Sequence, residues 1–94
     1  MATNASNITK DFVLNNRYGL HARPSSLFVK TASQFQSNFI VRKEGVMSNG
    51  KSIMDLMILA AAPGDSLTIE IAGEDAQEAM DAIEELFENK FGEE

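Results

Sequence analysis

Cysteine and tryptophan are absent from the sequence, and histidine and tyrosine occur once each, as His21 and Tyr18. The missing cysteines exclude a disulfide framework, a thiolate metal site and a cysteine nucleophile. One histidine leaves too few imidazoles for a multi-histidine zinc site, and no spare base for a Ser/His pair. A single imidazole nucleophile remains available. No metal or cofactor is expected. Long hydrophobic runs are also missing: the longest uninterrupted apolar stretch, Leu56 to Ala62, is far below the roughly 20 residues of a membrane span. The opening residues MATNASNITKDF hold no apolar secretion core, so a cytoplasmic address is expected by default. With one tyrosine and no tryptophan there is no basic, aromatic strand face, and neither a nucleic-acid nor a membrane partner is expected.

What is present suits one ordinary folded domain. The 94 residues are 44% hydrophobic and 23% charged, enough for a single core, so residues 1–94 are read as one domain with a flexible tail over 1–7. The net charge of −6 is unevenly distributed. Residues 74–94 hold nine acids and one base, while residues 1–73 carry a balance of +2. The acidity belongs to the C-terminal segment, where a solvated helix face accounts for it.

The periodicities give an element order. A strand is expected from about Ile8 to Leu14, ahead of the Asn-Asn-Arg-Tyr-Gly turn. Leu27, Phe28, Ala32 and Phe35 recur at helical spacing and predict a helix over Ala22–Phe35, with Pro24 in its first turn. Phe39-Ile40-Val41 and Val46–Asn49 around Gly45 read as a hairpin. Ser52-Ile53-Met54-Asp55 fits a capping box that starts a helix ending before Pro63-Gly64-Asp65. Leu67, Ile69 and Ile71 alternate with polar residues as a strand, and Asp75 with Glu78 can cap a last helix striped by Ala76, Ala79, Met80, Ile83, Leu86 and Phe87. The fold class predicted is α+β: an open-faced βαββαβα sandwich, with three helices covering one face of a four-stranded antiparallel sheet.

Chemistry concentrates in Gly19-Leu20-His21-Ala22-Arg23-Pro24-Ser25. The lone histidine falls at a helix start, where N–H groups lack partners and the dipole favours anions such as a phosphoryl group. Arg23 adds a permanent cation with a planar fork of donors. Both disfavour the imidazolium, and neutral imidazole is the nucleophile that could take a phosphoryl group. By position alone, a histidine near a helix start is more often a cap or a surface residue than a nucleophile.

The run Gly19–Ser25 resembles the active-site motif of the HPr family, the histidine-containing phosphocarriers of the bacterial sugar phosphotransferase system. Asn49-Gly50-Lys51-Ser52-Ile53-Met54 is similar to that family's second signature, and the likeness spans residues 8 to 90. The resemblance implies that His21 takes a phosphoryl group on Nδ1 from phospho-enzyme I, itself charged by phosphoenolpyruvate, and passes it to EIIA components. Arg23 would steady the phosphate, and the protein would be a stoichiometric, monomeric carrier rather than an enzyme. It also implies a docking face made of Ala22, Arg23, Ile53, Met54 and Met57, although each of the last three is as readily a core residue. Arg17, Lys30 and Lys51 would add positive charge for an acidic partner. Ser52 is a helix cap on its own setting; by resemblance it is the site where an HPr kinase/phosphorylase regulates many family members. Asp55 departs from the usual glycine there and would repel a phosphoserine. A nitrogen-related or regulatory paralogue with the same histidine chemistry is the alternative, followed by a non-catalytic α+β interaction module.

Overall fold

The structure, a computed structural model, describes residues 6–93. Four strands, β1 (Ser6–Val13), β2 (Asn38–Lys43), β3 (Val46–Asn49) and β4 (Ser66–Gly73), alternate with helices α1 (Ala22–Ala32), α2 (Ile53–Ile58) and α3 (Ala76–Glu88) in the predicted order. The sheet is antiparallel throughout, in the spatial order β1-β4-β2-β3. Its register sets Leu67, Ile69 and Ile71 of β4 against apolar partners. Ile71 lies between Ile8 and Phe39, Ile69 opposite Val41, and Leu67 opposite Phe12. These residues face the helices, which cover them with Phe28 and Ala32 from α1, Leu56 from α2, and Ala76, Ala79, Met80, Ile83 and Phe87 from α3. The opposite face is polar and cross-linked, with Arg42 paired to Glu70 at 3.2 Å and Thr68 donating to Asp11 at 2.6 Å. Period-two alternation thus places one face in the core and the other in water.

Several expected boundaries shift, each for a local reason. Of the tail expected over residues 1–7, the first five lie outside the described residues, while Ser6 and Asn7 extend β1 by pairing with Gly73 and Ala72. The α1 helix stops at Ala32 rather than Phe35, because the chain turns through Ser33 and Gln34 to reach Asp75. There the Asp75 carboxylate accepts N–H bonds from Gln36 and Ser37 at 2.8 and 3.0 Å, and a hydroxyl bond from Ser37. Asp75 therefore does not cap α3 with its side chain as expected; it ties the start of α3 to the turn before β2. Those donors, the Ser37 hydroxyl above all, hold its carboxyl below the usual aspartate range.

Half of the capping box at Ser52 forms. The Ser52 hydroxyl accepts the Asp55 N–H at 3.2 Å, but the Asp55 carboxylate takes the Asn49 N–H at 3.3 Å, since the Ser52 N–H already donates to Asn49 O. The α2 helix ends at Ile58, short of Pro63, where Ala60 adopts a left-handed φ of 50°. Ala61 and Ala62 belong to no regular element before the Pro63-Gly64 turn, and this segment supports the site.

Candidate functional site

The turn between β1 and α1 is built from backbone contacts. Gly19 has φ +74°, the conformation that favours glycine, and lies directly on the backbone of Ala61 and Ala62. Next to it, the Leu20 N–H donates to Ala61 O at 2.9 Å, and Leu20 is buried. Asn16, 1% exposed, donates through Nδ2 to Gly19 O at 2.8 Å. His21 follows as the N-cap of α1, in extended conformation and with no side-chain capping bond. Its backbone carbonyl accepts the Ser25 N–H at 3.1 Å, so the imidazole is free to face outward, with 38% of the side chain exposed. Pro24, which has no N–H to leave unsatisfied, is buried in the first turn.

Around the ring lie groups of both signs. The Tyr18 ring meets it edge-on at 6.0 Å, and Arg17 lies over Tyr18 at 5.3 Å. Arg17, Tyr18, Arg23, Gly92 and Glu93 line a shallow pocket of about 240 Å³. A larger hollow of about 500 Å³ along β2 and β3 contains no titratable group except Lys51 and plays no part in this chemistry. Arg23 stands two residues after the His21 N-cap, in the first turn of α1, and lines this pocket with Glu93; a guanidinium and a helix terminus next to an imidazole are groups that suit a phosphoryl dianion.

Glu93 is the residue that the sequence did not point to. Its carboxylate contacts His21 Nε2 at 3.0 and 3.3 Å and accepts Asn16 Nδ2 at 2.9 Å. Asn16 above all, with help from His21 and Arg23, holds the Glu93 carboxyl below the usual glutamate range against the opposing effect of burial. In the sequence Glu93 is one of nine acids in an acidic segment, 72 positions from His21, so only the fold reveals its position. The acidic C-terminal segment, read from the sequence as a solvated helix face, thus sends one carboxylate to the imidazole.

The apolar side chains of α2 divide cleanly. Leu56 is fully buried, whereas Ile53, Met54 and Met57 are 39%, 72% and 43% exposed, so none of these three is core. Ile58, at 70%, is also exposed on this helix. Ala22, Arg17, Arg23 and Lys30 are exposed on and before α1. Lys51 is differently engaged: its ammonium donates to Phe35 O at 2.8 Å and lies over the Phe39 ring. Ser52, half-buried, caps α2 as described.

Comparison with known proteins agrees with this geometry. Residues 8–89 match the family described as "PTS HPr component phosphorylation site". Phosphocarrier protein HPr of Xylella fastidiosa is 46% identical over 83 residues, covering 88% of this chain and 93% of that protein. Phosphocarrier protein HPr of Neisseria meningitidis serogroup A is 51% identical over 78 residues, covering 83% and 88%. The crystal structure of HPr-C-His from Thermoanaerobacter tengcongensis superposes with a TM-score of 0.89 at 42% identity, over 93% of this chain and 98% of that one. With the βαββαβα sandwich and a lone histidine at the start of α1 already in place, the chain belongs to the HPr family of phosphocarrier proteins of the phosphotransferase system.

Proposed function

We propose that this chain relays phosphoryl groups through His21, taking them from phospho-enzyme I and giving them to EIIA components that serve sugar uptake in the cytoplasm. The observation that carries the reading is the chain's single imidazole, part-exposed at the N-cap of α1, making no capping bond and followed two residues on by Arg23 in the first turn. Transfer between two imidazoles exchanges one N–P bond for another, so it needs placement and charge stabilisation rather than an acid–base relay. Donor and acceptor bonds are alike, and each step is reversible. The protein is then a stoichiometric carrier whose remaining catalytic groups come from its partners. Incubation with enzyme I and phosphoenolpyruvate should give acid-labile, base-stable phosphate that EIIA can remove. An unlabelled protein would reject the reading.

Ile53, Met54 and Met57, with Ala22 and Arg23, form the docking face in this reading. Exposed methionines adapt to dissimilar partners, and the neighbouring arginines suit an acidic rim. Met54 is the most exposed of the three and makes no core contact, so Met54→Glu should leave the melting temperature unchanged. It should nevertheless slow transfer from enzyme I by about tenfold, the effect of losing one well-placed apolar anchor. Stopped transfer assays at equal enzyme I concentration measure this, and unchanged kinetics would remove the face from the proposal.

Regulation is assigned to Ser52. Phosphorylation would replace its neutral cap with a dianion at the start of α2, favoured by the helix terminus and opposed by Asp55. Exposure to an HPr kinase with ATP should add one phosphate, lost in Ser52→Ala, by mass spectrometry; an unmodified wild type would reject this assignment.

A further inference from the structure

Behind the His21 ring is a chain of contacts that phosphoryl binding alone does not require. After α3 the backbone passes through left-handed Lys90 and Phe91, with φ of 53° and 54°. Phe91 is 2% exposed and packs edge-on against Phe87 with ring centroids 5.0 Å apart. This buried anchor turns the chain back towards the start of α1 and delivers Glu93, whose side chain is only 12% exposed. Buried Asn16 then fixes the carboxylate, donating to Glu93 Oε1 and Gly19 O from the same amide nitrogen. All hydrogen bonds of the imidazole to described residues run through Nε2.

An ionised carboxylate can only accept, so the nitrogen facing it must carry the ring proton. In the neutral ring that leaves the lone pair on Nδ1. We propose that Glu93 is a positioning residue for phosphoryl transfer, holding His21 in the Nε2–H tautomer and balancing the positive charge the ring gains as Nδ1 is phosphorylated. The inference rests on the carrier reading of His21. In the transfer step the Nδ1 lone pair forms the new N–P bond, and the donor's N–P bond breaks with its electron pair returning to the donor nitrogen. The Nε2 proton stays in place, so the product ring is an imidazolium with the Glu93 carboxylate 3.0 Å from its N–H. An aspartate behind a general-base histidine does comparable work in hydrolases, setting the tautomer and stabilising the imidazolium.

Two variants separate the tautomer effect from the charge effect. In histidine-¹⁵N-labelled, unphosphorylated protein above the pH of imidazole titration, long-range ¹H–¹⁵N spectra should show pyrrole-type Nε2 and pyridine-type Nδ1. Glu93→Ala should move the ring towards a mixture of tautomers and slow phosphorylation by enzyme I about 5- to 20-fold, the scale of one charge-assisted hydrogen bond at a part-exposed site. Glu93→Gln keeps an accepting oxygen, so it should retain the tautomer yet transfer about 3- to 10-fold more slowly for want of the charge. A wild-type rate in Glu93→Ala overturns the proposal. A slow Glu93→Ala protein with an unmoved tautomer ratio also overturns it, since loosened packing after α3 would then explain the loss. Wild-type protein that takes no phosphate rejects the carrier reading instead, before any variant is compared.

Discussion

His21→Ala should take up no base-stable phosphate from phospho-enzyme I, a fall to background rather than a partial loss. No second imidazole exists in the chain, and no cysteine can substitute as nucleophile. Serine and threonine hydroxyls would give esters with the opposite profile, stable in acid and labile in base, so misdirected label is recognisable. The substitution should leave the fold intact. The side chain is 38% exposed, makes no capping bond and contributes nothing to the core. Its removal should change unfolding free energy by less than about 1 kcal/mol, as is usual for surface positions. Thermal melting in parallel with labelling therefore separates lost chemistry from lost structure. Base-stable label persisting at the wild-type level in a folded His21→Ala protein would place the acceptor elsewhere.

The parts of this molecule that could be read in advance are those governed by local periodicity. The Leu67, Ile69, Ile71 alternation and the Ala76-to-Phe87 stripe are found where expected, because burying one face of a strand or helix leaves a pattern over neighbouring residues. Helix ends were less legible. Asp75 has the sequence context of a cap, yet the α1–β2 turn supplies two N–H groups and a hydroxyl to the same carboxylate. Asp55 is likewise diverted to Asn49. In both cases a partner brought close by tertiary folding outcompetes the local one. The site shows the same division. His21 and Arg23 lie in one short motif, whereas Glu93 arrives from the far end of the chain through a left-handed turn at Lys90 and Phe91 that no propensity favours. The faces of α2 could not be assigned from a six-residue helix in which five of the residues are apolar. Only packing decides that Leu56 points inward and Met54 outward.

The largest stability effect at the site should come from Gly19→Ala. A Cβ on Gly19 would lie 2.3 Å from Ala61 O and 2.9 Å from Ala62 Cα, and both are backbone atoms with no rotamer to give. The φ of +74° adds a left-handed penalty of about 1 kcal/mol for any residue with a Cβ. Forced separation of the two backbones, which would also strain the Leu20 N–H bond to Ala61 O, brings the expected loss to about 2–4 kcal/mol. For a domain of this size that is a fall of roughly 10–20 °C in melting temperature. Gly64→Ala provides the control, since Gly64 also has a left-handed φ, +93°, but its Cβ would meet nothing within 4 Å. It should lose only the conformational share, about 1 kcal/mol. The difference between the two variants measures the contact between the 16–20 turn and the segment after α2. His21 is two residues beyond that contact, so a displaced turn should also cost about tenfold or more in the initial rate of phosphorylation at 15 °C, where the variant remains folded. Equal melting temperatures for the two alanine variants would mean that the turn can yield without loss. A normal phosphorylation rate in a destabilised Gly19→Ala protein would show that His21 is positioned by α1 alone.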